Sequence, residues 1–283
     1  MPAWARAEAL LRRLAPAAGL AAICVLPAAG QAQTSDLVSD TALRVCADPA
    51  NLPLSNEAGE GYENKLAELF ADALGRPLRY TWYPQATGFI RKTLGEARCD
   101  VVMGYAQGHE LVLNTNHYMT SAYALITRPD SPLADVEALS DPALRGKVIG
   151  VVAGTPPATH LARNGLIGKA RPYALTVDTR YESPARDMVE DVRSGAIDAG
   201  IVWGPIGGYY AGRGEPKLTV RPLLKETLPP RMFYRITMGV RQGEDAWKRQ
   251  LNSLIRRHRD EIEAILRDYD VPLVTDMGEA VKQ

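Results

Sequence analysis

Acid, base and nucleophilic side chains are plentiful in this 283-residue sequence, but none falls into a spacing that catalysis requires. No serine sits in a G-x-S-x-G strand-to-helix elbow. No glycine-rich loop ends in G-K-[ST], and no H-E-x-x-H pair sets two imidazoles one helical turn apart. The run Gly59-Glu60-Gly61-Tyr62-Glu63-Asn64 opens like a dinucleotide fingerprint, yet it lacks the third glycine and lies about a dozen residues beyond the nearest strand. The histidines His109, His117, His160 and His258 have no cysteine partners at metal spacing, and His258 falls on the apolar stripe of a helix, where a core edge is the plainer role. Glu63, Asp48 and His109 form the one conceivable acid–base set, so an enzyme is the least supported of three function classes.

What the sequence does concentrate is aromatic, proline and amide residues just after predicted strands. The segments are Asp48-Pro49-Ala50-Asn51-Leu52-Pro53-Leu54-Ser55-Asn56, Trp82-Tyr83-Pro84-Gln85, Gly104-Tyr105, Gly154-Thr155-Pro156-Pro157 and Trp203-Gly204-Pro205-Ile206-Gly207-Gly208-Tyr209-Tyr210. In open α/β sheets the ligand crevice lies outside the carboxyl ends of the strands, so these segments are expected to face one cleft. A single Trp or Tyr is usually core packing. Clustering at strand ends argues for the cleft at Tyr105, Trp203 and Tyr209. Thr155 has a second reading, as the cap of a helix beginning at Pro156.

The elements that must position these loops alternate β-rich runs with amphipathic helical ones, which predicts α/β layers around mainly parallel sheets. Strands are expected at Leu43–Ala47, Leu78–Tyr83 and Cys99–Gly104, with a helix through Leu66, Leu69, Phe70 and Leu74 that stops at Gly75. A second series follows: strands at Lys147–Val152, Tyr173–Val177 and Asp198–Trp203, with helices at Ala158–Asn164 and Ala185–Ser194. Gly95 to Gly104 and Gly195 to Gly204 share one logic of helix stop, Asp, buried strand and glycine. The extended runs Ala122–Thr127 and Phe233–Val240 are expected to cross between two lobes. From Trp247 to Leu266 one apolar stripe predicts a single long helix returning to the first lobe.

Residues 1–32 carry three arginines ahead of the apolar run Leu14–Ala29 and close on Gly30-Gln31-Ala32, the pattern of a cleaved export signal. The expected organisation is then a signal peptide at 1–32, one lobe at 33–127 plus 238–272, a second lobe at 128–237, and a tail at 273–283. The whole sequence has no net charge, and without its leader it is slightly acidic, which disfavours nucleic acid as a partner. Beyond the leader only Cys46 and Cys99 remain, an even pair that reads as a disulfide in an oxidising compartment or as two buried thiols.

Four segments together carry a specific resemblance: Leu43–Pro49 with Asn51-Leu52-Pro53, Gly61-Tyr62-Glu63-Asn64-Lys65, Arg98–Gly104, and Val202-Trp203-Gly204-Pro205. They resemble the periplasmic binding-protein-like J proteins of methanol-oxidation operons, the MxaJ/XoxJ type, over residues 43 to 272. The resemblance implies a type II solute-binding fold of two lobes, each a mainly parallel sheet flanked by helices, joined by two crossing strands. It also implies a place in the periplasm beside a pyrroloquinoline-quinone (PQQ)-dependent methanol or alcohol dehydrogenase, with no cofactor held by this chain. The candidate ligand-binding set is Asp48, Asn51, Tyr62, Glu63, Tyr105, Thr155, Trp203 and Tyr209. Amino-acid receptors of the same broad fold clamp their ligand with an arginine after the Asp-x-x-x-Gly strand and an aspartate after its counterpart. Here Gly104–Asn114 has no arginine and Trp203-Gly204-Pro205 has no acid, so a buried zwitterion would cost several kcal/mol. The expected function is an accessory binding protein that holds a protein segment or an apolar ligand. A transporter receptor for an apolar or aromatic small molecule is the second class.

Overall fold

The structure, a computed structural model, describes residues 37–108 and 110–282; the expected leader and His109 lie outside them. The first lobe begins with β1 (Leu43–Ala47), whose side chains alternate between two buried faces: Leu43, Val45 and Ala47 enter one cluster and Cys46 another. A small hairpin, β2 (Ala50–Asn51) and β3 (Ser55–Asn56), leads to helix α1 (Tyr62–Leu74), then β4 (Leu78–Trp82), α2 (Phe89–Lys92) and β5 (Val101–Ala106). Strand β1 pairs in parallel with β4 and β5. A sheet covered on both faces explains why Val101-Val102-Met103 is apolar without alternation.

The long strand β6 (Leu113–Thr127) passes from one lobe to the other. The second lobe follows with β7 (Ile149–Val152), α3 (Pro156–Arg163), β8 (Arg171–Tyr173), α4 (Pro184–Ser194), β9 (Ala199–Trp203), α5 (Gly204–Gly212) and β10 (Thr219–Pro222). The chain returns through β11 (Phe233–Val240) to α6 (Asp245–Arg257) and α7 (Arg259–Asp268). Strand order is β4-β1-β5-β11-β6-β9-β7-β8, with β10 also on β6. The first half of β6 is antiparallel to β11, while Tyr123–Thr127 pairs with β9, so one continuous strand belongs to both lobes' sheets. Strand β11 pairs with β5 and β6 along its length.

The two lobes repeat one device. The Asp100 amide donates to the Arg44 carbonyl at 2.8 Å and the Asp198 amide to the Val148 carbonyl at 2.9 Å, so each aspartate aligns the start of one strand with its parallel neighbour. Asp100 is buried and takes Arg44 and Arg241 at 2.6 and 2.8 Å. These ion pairs lie at the strand starts, the end of the sheet away from the loops expected to bind. Cys46 and Cys99 are joined by a disulfide, with Cα atoms 5.5 Å apart, beside Phe89, Ile90 and Leu94.

Two local expectations are corrected. The Trp247–Leu266 stripe is two helices, because His258 leaves helical geometry (φ −108°, ψ 29°) while its amide still bonds the Leu254 carbonyl. Both helices face the same core, which preserves the apolar periodicity across the break. Thr155 does not cap α3 through its side chain: its hydroxyl donates to the Val152 carbonyl at 2.6 Å. Pro156 and Pro157 have no amide to offer, and the Ala158 amide is taken by the Thr155 carbonyl.

Helix α5 lies closely against the chain after α7. A Cβ on Gly208 would come within 1.9 Å of the Asp270 carbonyl oxygen, so only glycine fits that contact. Residues 273–282 pack back on the first lobe through a bridge between Ser121 and Leu273.

Candidate functional site

The loop Asp48–Asn56 is pinned to its own lobe before it meets the other. The Asp48 amide donates to Ser55 Oγ, which donates back to the Asp48 carbonyl. The first amides of α1 are capped by this loop, Tyr62 N by the Pro53 carbonyl and Glu63 N by the Leu54 carbonyl, both at 2.9 Å. Asn64 Oδ1 accepts from Asn56 N and Gly61 N.

On that base Asp48 links the two lobes. Its carboxylate is fully buried and accepts from Ala50 N at 2.9 Å and Gln85 N at 2.6 Å, both in the first lobe. From the second lobe Thr179 Oγ1 lies 2.8 Å from each carboxylate oxygen. A second crossing bond runs from the Tyr210 hydroxyl to the Leu52 carbonyl at 2.9 Å. The lobes are therefore closed on each other by the protein's own groups.

Between them lies a cavity of about 220 Å³. Asn51, Thr155 and Trp203 line it, together with Gln85, Tyr123 and Ile206. Trp203, Tyr123 and Tyr234 form an edge-to-face cluster with centroids 5.5 to 6.4 Å apart, which fixes the ring planes on that wall. The Asn51 amide donates to Gln85 Oε1 at 3.0 Å. Burial, and then Tyr234, push the Tyr123 hydroxyl up to about 12, so it stays protonated.

The other candidates stand elsewhere. Tyr105 lines a neighbouring depression of about 590 Å³, with Gln85 on the wall of both. Tyr209 is absent from the cavity wall; it stacks on Tyr269 at 5.9 Å beneath the Arg213 guanidinium. Tyr62 is buried against Tyr269 in the first lobe's core. Glu63 is buried beneath the loop, and burial followed by the nearby Asp48 charge pushes its carboxyl up to about 8. Its Oε1 and the Tyr118 hydroxyl have no hydrogen-bond partner among the described residues. Gly104 makes room for that oxygen, which would stand 2.1 Å from a Cβ.

Sequence reasoning missed Thr179 and Tyr123. Thr179 sits in a polar loop with nothing to mark it, and its partner is 131 residues away. Tyr123 had a signal, the one hydroxyl-bearing ring in the apolar run Ala122–Ile126. His160 is a buried core histidine held by Glu226 and the Pro230 carbonyl. Among the described residues no group of three or more His, Cys, Asp or Glu is arranged to hold a metal ion. Nor is any helix among them long and apolar enough to cross a membrane.

No family model matches the sequence. Protein MoxJ of Methylorubrum extorquens AM1 is 32% identical over 282 residues, covering 91% of this chain and 93% of its own. Among solved structures, the periplasmic binding protein XoxJ of Methylobacterium extorquens AM1 is 40% identical with a TM-score of 0.72, covering 83% of this chain and all of its own. MxaJ of Methlophaga aminisulfidivorans superposes with the same TM-score at 25% identity, covering 82% of this chain and all of its own. With two lobes, strand-end loops around a shared cleft, and relatives matched along almost their whole length, this chain belongs to the MoxJ, XoxJ and MxaJ family of periplasmic binding proteins.

Proposed function

We propose that this chain is a non-enzymatic periplasmic accessory protein of a PQQ-dependent methanol or alcohol dehydrogenase system, and that it holds its ligand in the cleft between the lobes. Family membership supports the setting. The interlobe cavity is the observation that carries the binding role. In this reading residues 1–32 direct export, 33–127 with 238–272 form one lobe, 128–237 the other, and 273–283 a tail. Asn51, Thr155 and Trp203 touch the ligand, Asp48 holds the lobes together, and Tyr62 and Glu63 support the loop from below.

A cavity of about 220 Å³ favours a small ligand over a buried protein segment, since pockets for drug-sized ligands start near 300 Å³. The dehydrogenase then meets the outer surface of the closed protein. Titration of the purified protein with a purified quinoprotein alcohol dehydrogenase tests the partner. Saturable binding supports the reading. No binding to either the apo or the cofactor-loaded dehydrogenase, in a protein that still binds a small molecule, would favour a transporter receptor.

A further inference from the structure

We infer that the interlobe cavity is built for a small uncharged molecule, a single ring carrying one hydroxyl or carbonyl group. The inference rests on the cleft being the ligand site, as proposed above, and concerns what that site admits.

Size sets the first limit. An apolar cavity of about 150 Å³ holds benzene, so about 220 Å³ leaves room for a ring and a short substituent. Trp203 and Tyr123 offer aromatic surface, and Val152, Val202 and Ile206 complete an apolar wall.

Charge sets the second limit. Among the described residues no Lys, Arg or His lines the cavity, so a carboxylate entering it would lose its water without compensation. A cation fares no better. Among the described residues Glu182 is the one acidic residue on the wall, and it is exposed to solvent. The Asp48 carboxylate does not line the cavity and is already engaged by Ala50 N, Gln85 N and the Thr179 hydroxyl.

The remaining polar groups narrow the ligand further. The Asn51 amide is bonded to Gln85 and the Thr155 hydroxyl to the Val152 carbonyl. Tyr123 is different: it lines the wall, and no hydrogen bond among the described residues engages its hydroxyl, while on the facing loop the Gln85 side-chain nitrogen is likewise left to donate to a carbonyl or hydroxyl. A phenol can donate one hydrogen bond and accept another, which suits a hydroxyl or a carbonyl on an otherwise apolar ring.

A series of probes sharing one ring and differing in charge tests this: benzyl alcohol, benzoate and benzylammonium, titrated calorimetrically into the purified protein at neutral pH. Benzyl alcohol is expected to bind with a Kd of about 1 mM or tighter. Both ions should bind at least about tenfold more weakly. Tyr123→Phe keeps the ring and the packing, and should weaken benzyl alcohol about fivefold. Equal or tighter binding of either ion would overturn the inference, as would absence of benzyl alcohol binding to the wild type or an unchanged affinity in Tyr123→Phe. No dehydrogenase is present in this assay, so its failure is distinct from failure of the accessory role.

Discussion

Replacing Thr179 by valine should open the protein without unfolding it. The hydroxyl is the donor that the second lobe supplies to Asp48, and the acceptor is a fully buried carboxylate. A hydrogen bond to a charged group is worth about 1.5–3 kcal/mol, so its loss should move the closed-to-open ratio about ten- to a hundredfold. Asp48 keeps its two first-lobe donors, Ala50 N and Gln85 N, so the loop itself should hold its shape. The Tyr210–Leu52 bond, a neutral bond of about 1 kcal/mol, survives on that side of the cleft, and the packing of Tyr209 and Arg213 against Tyr269 and Asp270 also holds the lobes. Small-angle scattering would report a larger radius of gyration for Thr179→Val, and a dye pair with one label on each lobe would report a longer mean distance. Thr179→Ser retains the hydroxyl and should match the wild type. The reasoning fails if the valine variant scatters and transfers energy like the wild type, or if serine opens the protein as far as valine does.

Three further outcomes follow from the same structure. Thiol counting on denatured, unreduced protein should find Cys46 and Cys99 oxidised; their separation of 53 residues makes the link worth about 4 kcal/mol on a chain-entropy basis, and two free thiols would contradict it. Burial, then Asp48, raises the Glu63 carboxyl from 4.5 to about 8, so the folded chain binds more protons than the unfolded chain between those values. Stability should therefore fall as pH rises from 4.5 to about 8 and level off above, by an amount on the order of several kcal/mol. Glu63→Gln should flatten that slope and melt higher than wild type in alkaline buffer, and an unaltered pH profile would refute the assignment. Finally, no common amino acid should raise the melting temperature, because no cation among the described residues lines the cavity to meet an α-carboxylate; a shift confirmed by calorimetry would show that the charge inventory is wrong.

The fold was legible because each lobe writes its strands as apolar runs and punctuates them with Gly, Pro and Asp. The repeat around Asp100 and Asp198 was visible for the same reason: both aspartates serve the same backbone pairing. At the cleft, the strand-end rule located Asn51, Thr155 and Trp203 on one cavity because loops after parallel strands converge at one edge of the sheet. It could not separate Tyr209 from Tyr210. Adjacent residues on a helix point about 100° apart, so Tyr210 reaches Leu52 while Tyr209 turns to Tyr269. The role of Asp48 was hidden for a different reason. A carboxylate in a binding loop reads as a ligand contact until its acceptor positions are seen to be filled, and the decisive donor, Thr179, is remote in sequence. The stripe of α6 and α7 shows the complementary limit, since a break that keeps the apolar face in phase leaves no trace in periodicity.

The accessory role meets its most direct test in a titration of the purified protein with a PQQ-dependent methanol or alcohol dehydrogenase, apo and cofactor-loaded, followed by calorimetry. Saturable binding, retained by a folded Trp203→Ala variant because Trp203 faces the cavity and not the outer surface, is the expected result. No binding to either form of the dehydrogenase would contradict the accessory role.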